Sequence, residues 1–110
     1  MPRVRLGTAA ELPEEGGTVV RVPGGAPPRR SLVVVRDGAA VRAFWNVCRH
    51  LPVPLDSGVG VLPPDHDLVC LTHGARYRRE DGLCLAGPCK GSRLEAVPVE
   101  ADGEAWFALV

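Results

Sequence analysis

Ser31-Leu32-Val33-Val34-Val35-Arg36-Asp37-Gly38-Ala39-Ala40-Val41-Arg42-Ala43-Phe44-Trp45 decides the fold. Two runs rich in β-branched and aromatic side chains flank Asp37-Gly38, a dipeptide that supplies the positive φ of a tight hairpin turn. The stretch is therefore predicted to be a β-hairpin, Ser31 to Arg36 and Ala40 to Trp45. It delivers the chain to Cys48 at the exit of its second strand.

A second hairpin is predicted at the far end. Ala96-Val97-Pro98-Val99-Glu100 and Glu104-Ala105-Trp106-Phe107-Ala108-Leu109-Val110 flank Ala101-Asp102-Gly103. Pro98 has no N–H for a ladder, so it suits only an edge or a non-bonded position. Shorter strands are predicted over Arg3 to Leu6, Thr18 to Val22, Leu68 to Leu71, Arg76 to Arg78 and Leu83 to Leu85, each bounded by Gly, Pro or Asp. Between Gly7 and Glu15, Ala9-Ala10-Glu11-Leu12 is compatible with a single helical turn stopped by Pro13, and Pro23 to Arg30 reads as an exposed loop carrying the solvated pair Arg29-Arg30. Nothing else has the 3.6-residue period of a helix. Eight or nine short strands imply an all-β fold, an antiparallel sandwich or barrel, and residues 1–110 are read as one domain.

Composition agrees. Thirteen Gly and eleven Pro are more than helix interiors tolerate. Thirteen basic and thirteen acidic residues cancel, so no global field draws the chain to nucleic acid or an anionic membrane. The first eight residues lack the apolar core of an export signal, and no apolar run is long enough to span a bilayer. The expectation is a soluble cytoplasmic protein, where cysteine is more often a metal ligand or a reactive group than a structural disulfide.

The four cysteines then divide by their neighbours. Cys48-Arg49-His50 and Cys70-Leu71-Thr72-His73-Gly74 each leave a predicted strand, with nineteen residues between His50 and Cys70. That is long enough to bring both loops to one end of a sheet. Two thiolates and two imidazoles suit either tetrahedral zinc or a [2Fe–2S] centre in which two His replace two Cys on one iron. The C-x-H spacing is unlike the paired C-x2-4-C and H-x3-5-H of ordinary zinc fingers. A centre with Cys on one iron and His on the other needs one of each from each loop, as here.

Cys48-Arg49-His50 with Leu55 and Asp56 downstream, and Cys70-Leu71-Thr72-His73-Gly74-Ala75-Arg76-Tyr77, resemble the two cluster-binding boxes of the Rieske family. The resemblance runs from about Asn46 to Val99, with loops at about 46–56 and 68–78. It implies one [2Fe–2S] cluster on antiparallel β-sheets, its inner iron held by Cys48 and Cys70 and its outer iron by His50 and His73. The segment from Arg79 to Cys89 is similar to the turn and strand that follow the second box in Rieske ferredoxins and oxygenase domains. Quinol-oxidising Rieske subunits carry a further disulfide over the cluster. Its positions are Val53 and Thr72 here. Those subunits also have a hydrogen-bonding serine where this chain has Ala75, although Tyr77 keeps the aromatic hydroxyl. Hydrogen bonds to sulfur stabilise the reduced cluster, so the resemblance implies a potential toward the low end of roughly −150 to +300 mV.

Such a centre suits a carrier, since it is neutral when oxidised and gains only one negative charge with one electron. The expected function is one-electron transfer, as in ferredoxins, between a reductase and an oxygenase or other oxidoreductase, with no catalytic residue and no substrate turnover. Arg49, Leu51 and Pro52 beside His50 would form a docking rim. Two other readings stand beside it: a redox- or iron-sensing module, and a small subunit of a larger reductase. Cys84 and Cys89 are read as buried thiols, with a disulfide or a second metal pair as alternatives. His66 is read as a solvated side chain. Trp45 and Trp106 are read as core residues, Trp45 beneath the cluster.

Overall fold

A computed structural model describes residues 3–49, 51–72 and 74–110. The eleven strands among them are β1 (Arg3–Thr8), β2 (Gly17–Arg21), β3 (Ser31–Asp37), β4 (Ala40–Trp45), β5 (Val61–Leu62), β6 (Leu68–Val69), β7 (Arg76–Tyr77), β8 (Cys84–Ala86), β9 (Ala96–Val97), β10 (Val99–Asp102) and β11 (Ala105–Leu109). They form a five-stranded sheet in the order β5-β2-β3-β4-β9 and two three-stranded sheets, β1-β11-β10 and β6-β7-β8. Every pairing is antiparallel. The only helical element among the described residues is one 3-10 turn, Ala9–Glu11, closed by a capping box in which the Thr8 hydroxyl accepts from the Glu11 N–H and the Glu11 carboxylate accepts from the Thr8 N–H.

The β3-β4 hairpin lies at the centre of the five-stranded sheet, running in register from Leu32 opposite Trp45 to Asp37 opposite Ala40. Its unbroken apolar run is explained by burial on both faces. Successive side chains of a strand point to opposite sides. Leu32 and Val34 enter a core shared with Leu6, Val41, Ala43, Val97 and Ala108, under the sheet formed by the two chain ends. Val33 and Val35 enter a second core with Phe44, Leu55, Leu68, Tyr77 and all four cysteines. The central sheet thus separates an aliphatic core from a cysteine-bearing one.

The second predicted hairpin is divided at Pro98. β9 pairs with β4, whereas β10 pairs with β11, so the chain changes sheets at the residue that cannot donate. Both β9 and β10 are edge strands, as Pro98 requires. β5, which adds an edge next to β2 with Gly17 opposite Leu62, was not anticipated from sequence. The expectation for Trp45 is corrected: it is half-buried against the aliphatic core, with the Arg29 guanidinium 5.6 Å from its ring, on the face away from the cysteines. Arg29 and Arg30 are exposed, as expected, and Arg29 forms a surface ion pair with Glu95.

The cysteine-bearing side is built from loops and strands of two or three residues, which cannot satisfy their own backbone. Arg79, 2% exposed, does so for several segments at once. Its guanidinium donates to the carbonyls of Gly16 (3.0 Å), Arg36 (3.2 Å), Asp65 (3.3 Å) and His66 (2.9 Å). Within Arg78-Arg79-Glu80-Asp81 it looks in sequence like one member of a solvated charge run. Gly82 follows at φ +76, where a Cβ would lie 3.0 Å from the Phe44 ring, so both backbone and packing demand glycine.

Candidate cluster site

Two loops rise from the ends of β4 and β6. In the first, Asn46 and Asp56, both buried, act as an internal frame. The Asn46 side chain accepts from the Leu55 N–H (2.8 Å) and donates to Ser31 Oγ (3.1 Å) and Asp56 Oδ1 (3.0 Å). The other Asp56 oxygen accepts from the Gly60 N–H at 2.8 Å. The Cys48 N–H donates to the Val53 carbonyl at 2.9 Å, which closes the loop on itself. In the second loop Cys70 donates to the Ala75 carbonyl and accepts from the Gly74 N–H, each at 2.8 Å. The loops are joined to each other by the Leu71 N–H donating to the Leu55 carbonyl (2.8 Å) and by the Ser57 and Thr72 hydroxyls 3.1 Å apart. Sequence reading noted Asn46 and Asp56 only as parts of a motif; their framing role follows from a polar residue being unable to stay buried without partners.

Cys48 and Cys70 are 3% and 0% exposed and share one core. His50 and His73 lie outside the described residues. Tyr77, wholly buried, places its hydroxyl 3.3 Å from Cys48 Sγ and accepts the Arg49 N–H at 2.9 Å. Burial first, then the Cys48 and Cys89 sulfurs, hold the hydroxyl well above the ordinary phenol range, so it stays a donor at neutral pH. Ala75 is fully buried and presents only a methyl group at its position. The donor set fits an iron–sulfur centre: two buried sulfurs on adjoining loops, with a hydroxyl aimed at one of them.

The remaining candidates fall outside this arrangement or on its border. His66 is exposed and pairs with Glu80 Oε2 at 3.1 Å, as expected of a solvated side chain. Cys84 and Cys89 are buried, with their sulfurs 2.8 Å apart and Cys89 Sγ 3.1 Å from the Tyr77 hydroxyl. Among the described residues no three His, Cys, Asp or Glu side chains gather as a metal site, so a second metal pair at Cys84 and Cys89 gains no further ligand there. Arg49, Leu51 and Pro52 are exposed, as is Leu71 on the second loop, two residues before His73 in sequence. No helix of the described residues is long and apolar enough to cross a membrane.

Comparison with known proteins agrees with this geometry. The profile of the Rieske [2Fe–2S] domain matches residues 3–100, wider than the span from Asn46 to Val99 on which the motifs lie. Among solved structures, the ferredoxin of carbazole 1,9a-dioxygenase from Nocardioides aromaticivorans IC177 is 29% identical with a TM-score of 0.73, over 98% of this chain and 97% of that one. A chain in the complex of reduced oxygenase and oxidized ferredoxin in carbazole 1,9a-dioxygenase is 21% identical at a TM-score of 0.73, over 96% of this chain and 91% of that one. The terminal oxygenase of carbazole 1,9a-dioxygenase from Novosphingobium sp. KA1 shares the fold at 23% identity and a TM-score of 0.71, over 98% of this chain and 29% of that one. No curated protein matches.

Proposed function

The chain belongs to the Rieske [2Fe–2S] domain family and carries one [2Fe–2S] cluster for one-electron transfer, and from that premise we propose that Cys48 and Cys70 hold one iron and His50 and His73 the other. The observation that carries this assignment is the closure of the two loops onto each other through Leu71 and Leu55, with Cys48 and Cys70 buried in one core. The bound cluster supplies a single reversible electron; the protein's part is to keep water from the sulfurs and to aim the Tyr77 hydroxyl at Cys48.

We further propose that residues 1–110 act as one ferredoxin-like domain in the cytoplasm, passing electrons from a reductase to an oxygenase or other oxidoreductase. A Nocardioides ferredoxin that serves a dioxygenase matches over nearly the whole of both chains, which supports a carrier over a reductase subunit. Exposed Leu51 and Leu71, with Arg49 and Pro52, give the cluster end an apolar rim on which such a partner would dock. EPR of the dithionite-reduced protein, with iron, sulfide and zinc assays, tests the assignment. A rhombic signal with the low average g of mixed Cys and His ligation, and about two irons and two sulfides per chain, is expected. Zinc with no signal would overturn both the cluster and the carrier.

A further inference from the structure

Cys84 lies in β8, and its backbone is clamped to the turn that follows: its N–H donates to the Ser92 carbonyl (2.7 Å) and its carbonyl accepts from the Gly91 N–H (3.0 Å). That turn, from Gly87 to Ser92, brings Cys89 back over Cys84 until the two sulfurs are 2.8 Å apart. A disulfide needs about 2.05 Å, so bond formation requires a closing movement of only about 0.8 Å. Little chain entropy is left to lose, because the intervening residues are already ordered in the turn. The turn also rests on the second cluster loop. Gly87 has φ +105, and a Cβ there would come within 3.1 Å of the Ala75 backbone. Cys89, 6% exposed between the exposed Pro88 and Lys90, is the less buried of the pair, Cys84 being 1% exposed.

Beyond the pair lies a hydrogen-bonded path. A ligand thiolate at Cys48 only accepts, so the Tyr77 O–H points at it. The Tyr77 oxygen then accepts from the Arg49 N–H and from the Cys89 S–H. Each donor into that oxygen polarises the O–H and strengthens its bond to Cys48. We propose that Cys84 and Cys89 form a reversible dithiol–disulfide site for low-molecular-weight disulfides, and that its state is transmitted through Tyr77 to Cys48.

The chemistry balances as two exchanges. Cys89 Sγ attacks one sulfur of the oxidant, forming a mixed disulfide and releasing the other half as a thiol. Cys84 Sγ then attacks Cys89 Sγ, forming the internal bond and releasing the second half as a thiol. The protein loses two electrons and two protons, and the oxidant disulfide gains both as two thiols. The internal disulfide has no S–H, so Tyr77 loses one of its two donors, its bond to Cys48 weakens, and the cluster potential falls. Burial holds the Cys84 thiol above the ordinary thiol range, so the resolving step speeds up as pH rises.

The pairing itself is independent of the cluster, whereas its transmission rests on Cys48 being a ligand. The experiment equilibrates the holo-protein in glutathione disulfide and glutathione at varied ratio, traps thiols with a maleimide, and reads peptide mass and cluster voltammetry together. The expected result is loss of two hydrogens from the peptide that holds Cys84 and Cys89, reversed by dithiothreitol, with a potential lower in the disulfide form. Cys84→Ser and Cys89→Ser should each abolish the internal bond; the Cys89→Ser potential should no longer respond to the glutathione ratio, whereas Cys84→Ser should hold a glutathione adduct on Cys89. Two labelled thiols at every ratio, or a lasting glutathione adduct on Cys89 in the unsubstituted chain, would overturn the site. An internal disulfide with an unmoved potential would overturn the transmission. Absence of any iron–sulfur signal is a separate failure, of the ligand assignment, and leaves the mass readout decisive for the pair.

Discussion

The two faces of the central sheet bear cores of different kinds. On one side Leu32, Val34, Val41 and Ala43 meet Leu6, Val97 and Ala108, an aliphatic packing between regular strands. On the other, Val33, Val35 and Phe44 meet four cysteines and a tyrosine carried by loops and very short strands. The first is held by area removed from water and by continuous ladders. The second also depends on individual polar side chains, Asn46, Asp56 and Arg79, that replace missing ladders. A hydrophobic platform thus tolerates redundancy, whereas the cluster side has single residues whose loss frees several backbone groups together.

Four measurements sharpen or break this contrast. Arg79→Met should be the most damaging, about 3 to 4 kcal/mol in denaturant unfolding, because several carbonyls lose a charged donor at once. A loss below about 1 kcal/mol would show that Arg79 behaves as a surface charge. Val33→Ala and Val34→Ala, neighbours on opposite faces, should each cost about 2 kcal/mol, yet only Val33→Ala should broaden the reduced EPR signal. Equal spectral effects would mean that the two cores are not mechanically separate.

Tyr77→Phe should leave the fold standing and lower the cluster potential. A hydrogen bond of about 1 kcal/mol corresponds to about 40 mV for one electron, readable by voltammetry. The smallest effect concerns acid. Asp81 is held well below the ordinary carboxylate range, chiefly by its hydrogen bond to Arg78, with the Leu83 N–H and Arg93 also lowering it and burial opposing. A carboxylate with a depressed folded pKa stabilises the protein above its unfolded value, about 4. That contribution is lost as pH falls further toward the folded pKa, so Asp81→Asn should lower stability at pH 7, where the contribution is complete, and flatten the stability curve below about pH 4. A wild-type curve already flat there would remove Asp81 from the fastening of the β7-β8 turn.

What could be read from the chain, and what could not, divides along the same sheet. Alternation and turn chemistry were enough for β3, β4 and the single helical turn after Gly7, since each depends on neighbours in sequence, whereas the change of sheets at Pro98 and the capping role of Thr8 appeared only in the structure. The Cys and His spacing narrowed the centre to zinc or an iron–sulfur cluster, and the resemblance of the two boxes pointed to the family. Sequence did not reveal that Trp45 lies on the aliphatic face, because a strand residue's parity says which side it shares with Leu32-type neighbours only once the sheet's two coverings are known. Nor did it single out Arg79, whose partners are carbonyls of three distant segments and carry no side-chain signature.

The sequence by itself determined an all-β chain with two loops that each carry a Cys and a His, because hydrophobic period, turn dipeptides and residue spacing are local codes. Only the tertiary structure decided that Tyr77 stands between Cys48 and Cys89, and that Cys84 and Cys89 face each other across a turn. Those contacts are made by side chains converging from separate strands, and convergence is set by how sheets pack, which no short stretch of residues encodes.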